Sequence, residues 1–375
     1  MIPFNKATIT EKEIGYVVDA MKNGKTSGDG KYTAKVNEFF RQKFDIDKLL
    51  LTTSGTDALE LAFLTAGIKA GDEVITPSFT FSSTVNAFMI MGAKPVFCDI
   101  KEDTLNIDEN KIESLISDRT KAIVVVDYAG FPCEMDTIME IAKRHKITVI
   151  EDAAQAVGST YKGRICGTLG DIGCYSFHET KNYSMGEGGA AIFSNTEMLD
   201  QAEIHREKGT NRRQVLKGLV DKYTWHNVGS SYLPSDILAA MLFGQLERYD
   251  EILNKRMAVW NTYHEELLEL DQKGLLTIPV IPENTTHNAH MYNIILNDSE
   301  TRDRVISGLK EKDITAFICY IPLHSAPFGI KLGYKAEDCP VTEKIGNTTL
   351  RLPLYADMTV SDAKMVTDVL KQILL

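Results

Sequence analysis

From Lys48 to about Ser194, short β-branched or apolar runs alternate with longer amphipathic stretches, and no other feature of this 375-residue chain narrows its fold as far. Such alternation is the pattern of βαβ units wound around a mostly parallel sheet. The expected strands are Leu49–Thr52, Glu73–Thr76, Pro95–Cys98, Ala122–Val126, Thr148–Glu151, Gly173–Phe177 and Ala190–Phe193. Apolar spacing predicts helices over Asp57–Ala66, Thr84–Met91, Lys111–Ile116 and Asp136–His145. After Asp236 the texture changes: Ile237–Leu268 reads as one long helical connection. Beyond it, Ile278–Pro282, His290–Leu296 and Ile314–Ile321 look extended, while Arg302–Lys312 and Ser361–Leu374 look helical. The expected class is therefore α/β, a mixed, mostly parallel seven-stranded sheet followed by a smaller α+β domain. The division falls at residues 1–246, which include an N-terminal arm, and 247–375.

Charge then limits the partners. Lys plus Arg total 41 against 52 Asp plus Glu, a net charge of −11, which disfavours a nucleic-acid binder relying on diffuse positive charge. An anionic small ligand needs a locally positive pocket instead. Cys98, Cys133, Cys166, Cys174, Cys319 and Cys339 form no CxxC pair, so reduced thiols in a cytoplasmic protein are expected, with no metal site. No apolar run reaches the ~18 residues of a membrane span.

Four constellations carry chemistry. Thr53-Ser54-Gly55-Thr56 follows a strand and opens a helix, so its backbone N–H groups and hydroxyls suit a phosphate; equally, Thr53 or Ser54 simply caps that helix. Pro77-Ser78-Phe79-Thr80-Phe81 offers an aromatic to stack on a flat ring, or to pack in a core. Glu151-Asp152-Ala153-Ala154-Gln155 places carboxylates at the carboxyl end of a strand, where open α/β sheets bind ligands. Asp152 there either pairs with a protonated pyridine nitrogen or caps the next turn. Finally, Ser176-Phe177-His178-Glu179-Thr180-Lys181-Asn182 sets a lysine past a strand and before Gly186-Glu187-Gly188-Gly189; partial burial makes such an amine a nucleophile, whereas a lone lysine is ordinarily a solvated surface group.

Other readings fail on spacing. His178-Glu179 begins like a metalloprotease helix, but position 182 is Asn. GxGxxG, GxxxxGK[ST] and GxSxG are all absent. The basic run His205-Arg206-Glu207-Lys208 with Arg212, Arg213 and Lys217 either attracts a diphosphate or is a solvated charged surface.

The succession of phosphate cup, aromatic, strand-end Asp, and Ser and Lys five residues apart resembles the DegT/DnrJ/EryC1/StrS sugar aminotransferases. The likeness spans nearly the whole chain, from Met1-Ile2-Pro3-Phe4-Asn5 through Arg206-Glu207-Lys208-Gly209-Thr210-Asn211 to Tyr320-Ile321-Pro322-Leu323-His324 and Arg351-Leu352-Pro353-Leu354. It implies the aspartate-aminotransferase (type I) fold, pyridoxal 5′-phosphate as cofactor, and a homodimer with active sites at the subunit interface. L-glutamate and a dTDP-4-keto-6-deoxyhexose are the implied substrates. By the same resemblance Lys181 carries the cofactor covalently and moves the substrate proton. Asp152 pairs with the ring nitrogen, Phe81 stacks on the ring and Gln155 bonds the ring hydroxyl. Gly55, Thr56 and Ser176 hold the phosphate, and Tyr320 and His324 lie near the mouth of the sugar site, with Arg212 a further substrate contact. Ser231, in Gly229-Ser230-Ser231-Tyr232-Leu233, stands where many members carry an Asn that reaches the phosphate of the other subunit. Related sugar dehydratases replace the lysine with histidine, and a silent cofactor-binding protein has no need to keep Lys181 and Asp152 together.

Overall fold

The computed structural model describes residues 1–216, 218–318 and 320–375; Lys217 of the basic run and the thiol of Cys319 lie outside the described residues. Nine strands fall in the first 193 residues: β1 (Leu49–Thr52), β2 (Glu73–Pro77), β3 (Lys94–Cys98), β4 (Thr120–Val126), β5 (Thr148–Asp152), β6 (Thr160–Tyr161), β7 (Arg164–Ile165), β8 (Ile172–Ser176) and β9 (Gly189–Phe193). Seven of them form one sheet in the order β1-β9-β8-β5-β4-β2-β3. Pairing is parallel from β3 through β2, β4 and β5 to β8. Only β9 runs against its neighbours, antiparallel to both β8 and β1.

Both faces of this sheet are covered, which is why its strands read as nearly continuous apolar runs. Successive side chains point to opposite faces, so Leu49, Leu51, Ile123, Val125 and Val149 join one core while Leu50, Ala122, Val124 and Ile150 join another. The first core is closed by Tyr32, Val36 and Phe40 of the helix Lys31–Phe44 and by Ile138, Ile141 and Ala142 of Met135–His145. The second is closed by Leu59, Leu61 and Phe63 of Gly55–Thr65 and by Val85 and Phe88 of Ser82–Met89.

Beyond residue 246 lie β10 (Leu276–Thr277), β11 (Thr285–Thr286), β12 (Tyr292–Leu296), β13 (Phe317–Ile318) and β14 (Thr349–Leu352). An antiparallel sheet in the order β10-β12-β14-β13 packs under the helices Tyr249–Gln272 and Val360–Leu374 through Tyr263, Leu267, Ile294, Leu350, Leu352, Val366 and Leu370. β11 instead joins the short hairpin of β6 and β7. The N-terminus is tied to the second sheet's core, with Ile2 N donating to Asp313 O at 2.8 Å and Ile2 buried among its residues.

Three expectations shift. The helix expected over Ile237–Leu268 is two, Asp236–Leu246 and Tyr249–Gln272. Arg248 leaves helical geometry (φ −105°, ψ 17°) between them, its Nη1 reaching buried Glu13 at 3.0 Å. Of Ile278–Pro282, no residue pairs in a sheet; Pro279 and Pro282 have no N–H to give, and regular pairing ends at Thr277. Within Ile314–Ile321 the paired strand is Phe317–Ile318.

Candidate active site

The carboxyl ends of the parallel strands converge on one cavity of about 370 Å³. Gly55 and Thr56 reach it from the turn after β1, Phe81 and Thr84 from the segment after β2, Asp152 and Gln155 from β5, and Ser176 and Lys181 from β8. Phe4, His290, Tyr320 and Arg351 close it from the N-terminus and the second sheet's side.

At the β1 end, Ser54 caps the helix, its Oγ accepting from Asp57 N at 3.0 Å. The cap and the anion cup coexist, because Gly55 and Thr56 present first-turn N–H groups that have no partner within the helix. Thr56 Oγ1 and Ser83 Oγ lie 2.7 Å apart on the cavity wall. Glycine is required at 55: a Cβ there would stand 2.8 Å from Ser176 Cβ. The helix N-terminus therefore approaches β8 closely enough for the Ser176 hydroxyl to share the cup. Amides, hydroxyls and the helix dipole together suit a phosphate.

Asp152 is buried and held by two donors, Thr84 Oγ1 to Oδ2 at 2.7 Å and Ala154 N to Oδ1 at 3.2 Å. Thr84 is itself bonded to Thr80 Oγ1 at 2.8 Å. Burial pushes the Asp152 carboxyl above the usual range, against the pull of those donors and of the Lys181 charge. A cationic N–H brought to this carboxylate offsets the cost of its desolvation. Lys181 shows the complementary effect. Burial lowers its amine to about 8, opposed by Asp152 and assisted by the Arg351 charge. A substantial neutral fraction near that pH makes it a nucleophile. Its loop is fixed: Phe177 N donates to Gly188 O at 2.8 Å, Lys181 N to His178 O at 2.9 Å, and Asn182 Nδ2 to Asn288 O at 2.7 Å.

Gln155 accepts from Ala129 N at 2.7 Å and donates to Tyr320 Oη at 3.0 Å, which fixes the amide's orientation. Phe81 is 60% exposed, its ring 6.1 Å from that of Tyr320, so it offers an open aromatic face. Anion cup, buried carboxylate, aromatic face and depressed lysine match in turn the phosphate, ring nitrogen, ring and aldehyde of pyridoxal phosphate.

Gly55, Thr56, Phe81, Asp152, Gln155, Ser176, Lys181 and Tyr320 all line the cavity; Ser231, Arg212 and His324 do not. Ser231 is exposed and bridges to Glu207, and Arg212 pairs with Glu207 at 2.9 Å. His324 is buried behind Ser78, whose hydroxyl lies 2.6 Å from Nδ1 and accepts from His324 N at 2.9 Å. Sequence reasoning gave no role to Thr84, Ser83, His290 or Arg351. A charged residue inside the apolar run Leu350–Leu352 was the available signal for the last; the others carried none.

Glu151, the other strand-end carboxylate, is not in the cavity. It accepts from the backbone N–H groups of Gly167, Leu169 and Gly170 at 2.6, 2.8 and 3.2 Å and lies with Asp127 and Cys166 in a buried cluster. Burial and the Glu151 charge hold the Asp127 proton on, so the pair shares one negative charge.

The DegT/DnrJ/EryC1/StrS aminotransferase family matches residues 7–371. GDP-perosamine synthase of Caulobacter vibrioides is 35% identical over 364 residues, covering 96% of this chain and 95% of that protein. The spore coat polysaccharide biosynthesis protein SpsC of Bacillus subtilis is 33% identical over 380 residues, covering 99% and 97%. Among solved structures, the putative sugar aminotransferase Spr1654 of Streptococcus pneumoniae in its PMP-form superposes with a TM-score of 0.92 at 26% identity, over 100% of this chain and 99% of that one. Fold, cavity and full-length likeness agree: with its type I architecture, the chain belongs to the DegT/DnrJ/EryC1/StrS family of sugar aminotransferases.

Proposed function

We propose that this protein is a pyridoxal-phosphate-dependent nucleotide-sugar 4-aminotransferase. In this reading it moves the amino group of L-glutamate to C4 of dTDP-4-dehydro-6-deoxy-D-glucose, giving dTDP-4-amino-4,6-dideoxy-D-galactose and 2-oxoglutarate for cell-surface polysaccharide synthesis. The observation that carries the chemistry is one cavity holding a lysine whose amine is pulled to about 8 and a buried carboxylate that gains from a cationic partner. When bound, the cofactor supplies an electron sink for the charge left when a proton leaves the carbon bearing nitrogen. The protein's own groups do the rest. Lys181 would hold the cofactor through its aldehyde carbon, with water as the leaving group, and would carry the proton on and off the substrate carbon; Asp152 would keep the ring nitrogen protonated; Phe81 would hold the ring face. Gln155 orients the ring hydroxyl, and Gly55, Thr56 and Ser176 bind the phosphate.

The sugar's identity rests on a resemblance of the chain, Gly229-Ser230-Ser231-Tyr232 included, to galactose-type enzymes of the family. A second reading, a GDP-linked keto-sugar, is favoured by the likeness to GDP-perosamine synthase. Offering both keto-sugars to the holoenzyme with L-glutamate separates them. Turnover of the dTDP sugar, with a small C3–C4 proton coupling in the product NMR spectrum, supports the galacto assignment. A large coupling gives the gluco epimer, and turnover of the GDP sugar alone overturns the nucleotide.

The division at residues 246 and 247 is supported by the helix break there and by the separate core of the second sheet. Homodimerisation is supported by the exposed apolar side chains Leu216, Leu219, Tyr223, Trp225 and Val228, which sit on the segment just before Ser231 and are too numerous for a solvated loop. A monomeric mass by light scattering counts against the dimer. No helix among the described residues is long and apolar enough to cross a membrane.

A further inference from the structure

His290 stands just before β12, and its ring lines the main cavity and also a smaller space that it shares with Lys181, Asn182 and Asn288. Its backbone is held from both sides: Asn288 Oδ1 accepts from His290 N at 3.1 Å, and Arg256 Nη2 donates to His290 O at 2.6 Å. The ring nitrogen Nδ1 lies 3.0 Å from Asn182 Oδ1. The Asn182 amide has one possible orientation, because its Nδ2 donates to Asn288 O at 2.7 Å and a reversed amide would set two oxygens against each other. An amide oxygen only accepts, so the His290 proton is on Nδ1 and Nε2 keeps its lone pair. No group among the described residues bonds Nε2. The charged groups that act on the ring are Lys181, Arg256 and Arg351, all cations, and together with burial they hold it neutral.

We infer that His290 is a positioning residue for Lys181, its Nε2 accepting a hydrogen bond from the Lys181 ammonium while the lysine carries the substrate proton. This rests on the aminotransferase reading above. A lysine that has taken a proton from carbon is a cation in a buried cavity and needs an acceptor there. Asp152 and Gln155, the acceptors at the end of β5, are engaged by Thr84, Ala154 N and Ala129 N. Nε2 of His290 is free, and the ring and the lysine are referenced to each other, because the Asn182 amide that fixes the ring belongs to the residue after Lys181. The acceptor also has the right strength. A carboxylate in its place would hold the ammonium firmly and raise an amine that burial has brought to about 8, whereas a neutral lone pair orients the ammonium and lets the proton return to carbon. The proton leaves the substrate carbon for Nζ and goes back from Nζ; it does not pass to His290, where an imidazolium would stand among positive charges. As Lys181 stands, Nζ does not bond Nε2, and the flexible four-carbon stem gives the amine the reach to turn to it.

Nitrogen NMR of the apoprotein reads the ring directly, with His290→Gln removing the signal and so assigning it. From about pH 6 to about pH 9, Nδ1 should stay protonated and Nε2 bare. On the cofactor-loaded protein, single-turnover reaction with L-glutamate, and with L-glutamate deuterated at the reacting carbon, is followed by visible absorbance. His290→Phe should slow this step about 10- to 100-fold, the worth of a hydrogen bond to a charge, while the half-saturating glutamate concentration stays within about threefold and the deuterium effect grows. His290→Gln, whose amide oxygen offers an acceptor near the position of Nε2, should recover most of the rate. A ring protonated on Nε2, or an imidazolium in that pH range, overturns the inference whatever the variants do. So does a wild-type rate in His290→Phe, a loss confined to glutamate binding, or a His290→Gln as slow as His290→Phe, which would leave the ring a packing role. A wild type that glutamate does not convert at all refutes the donor in the proposed function, a result distinct from these because the NMR measurement needs neither donor nor cofactor.

Discussion

Removing the Thr84 hydroxyl isolates the electrostatics of Asp152. In Thr84→Val the shape is kept while the donor to Asp152 Oδ2 at 2.7 Å disappears, and Thr80 Oγ1 loses its partner at 2.8 Å. A hydrogen bond to a buried charge is worth about 1.5–3 kcal/mol, and orphaning the Thr80 hydroxyl adds about 1–3 kcal/mol. The two parts differ in pH dependence. The native Asp152 carboxyl is already raised by burial, and losing its donor raises it further. The first part of the penalty is therefore present where Asp152 is ionised and vanishes as pH falls below the native value, where wild type and variant both hold the proton. The Thr80 part does not change with pH. Urea unfolding of the cofactor-free protein, followed across a pH series and compared at the two pH values that end it, should show a destabilisation of about 2.5–6 kcal/mol at the alkaline end that shrinks by about 1.5–3 kcal/mol toward the acid end. In an Asp152→Asn background the difference between the two pH values should disappear. A penalty equal at both pH values refutes the claim that Thr84 acts on a carboxylate.

Asp127→Asn keeps the neutral, hydrogen-bonding form that the native pair enforces, so its cost at neutral pH should be under about 1 kcal/mol; Glu151→Gln turns the acceptor of three backbone N–H groups neutral and should cost about 2–4 kcal/mol by denaturant titration. Because burial raises the native Asp127 carboxyl above its unfolded value, its contribution is complete at low pH and lost as pH rises; wild type should therefore gain stability on acidification relative to Asp127→Asn. Gly55→Ala brings a methyl within 2.8 Å of Ser176 Cβ, forcing the helix away from β8. A loss of about 1–3 kcal/mol in thermal unfolding is expected, with weaker inorganic phosphate binding by calorimetry. Capture of pyridoxal phosphate by the apoprotein should accelerate as pH rises through about 8 and level off above, following the neutral amine of Lys181 in stopped-flow absorbance.

The large sheet was legible because strands buried on both faces need an apolar residue at every position, and β1 at Leu49–Thr52 falls where the run of leucines places it. Strand ends carried the site for the same reason: once β5 and β8 are placed, Asp152 and Ser176 must stand at their carboxyl ends. The early helix Glu11–Lys22 went unread although Thr10 and Glu13 form a capping box and Ile14, Val17, Val18 and Met21 recur at helical spacing. The break at Glu247 and Arg248 was invisible locally, since neither residue is a breaker; it follows from the reach of Arg248 to Glu13, far away in sequence. Thr84 and His290 were unreadable as site residues for a similar reason: each reaches the cavity through tertiary packing, with no motif around it.

The central claim, that Lys181 is the amine that takes up the cofactor and moves the proton, is tested by mixing cofactor-loaded wild type and Lys181→Ala with L-glutamate and measuring 2-oxoglutarate. Wild type should release one 2-oxoglutarate per active site in a burst, with loss of its visible band, and the band should return on adding the keto-sugar. Lys181→Ala should still hold the cofactor non-covalently through the Asp152 side chain and the Gly55–Thr56 cup but release none over the same time. A burst of wild-type rate from Lys181→Ala would contradict the account.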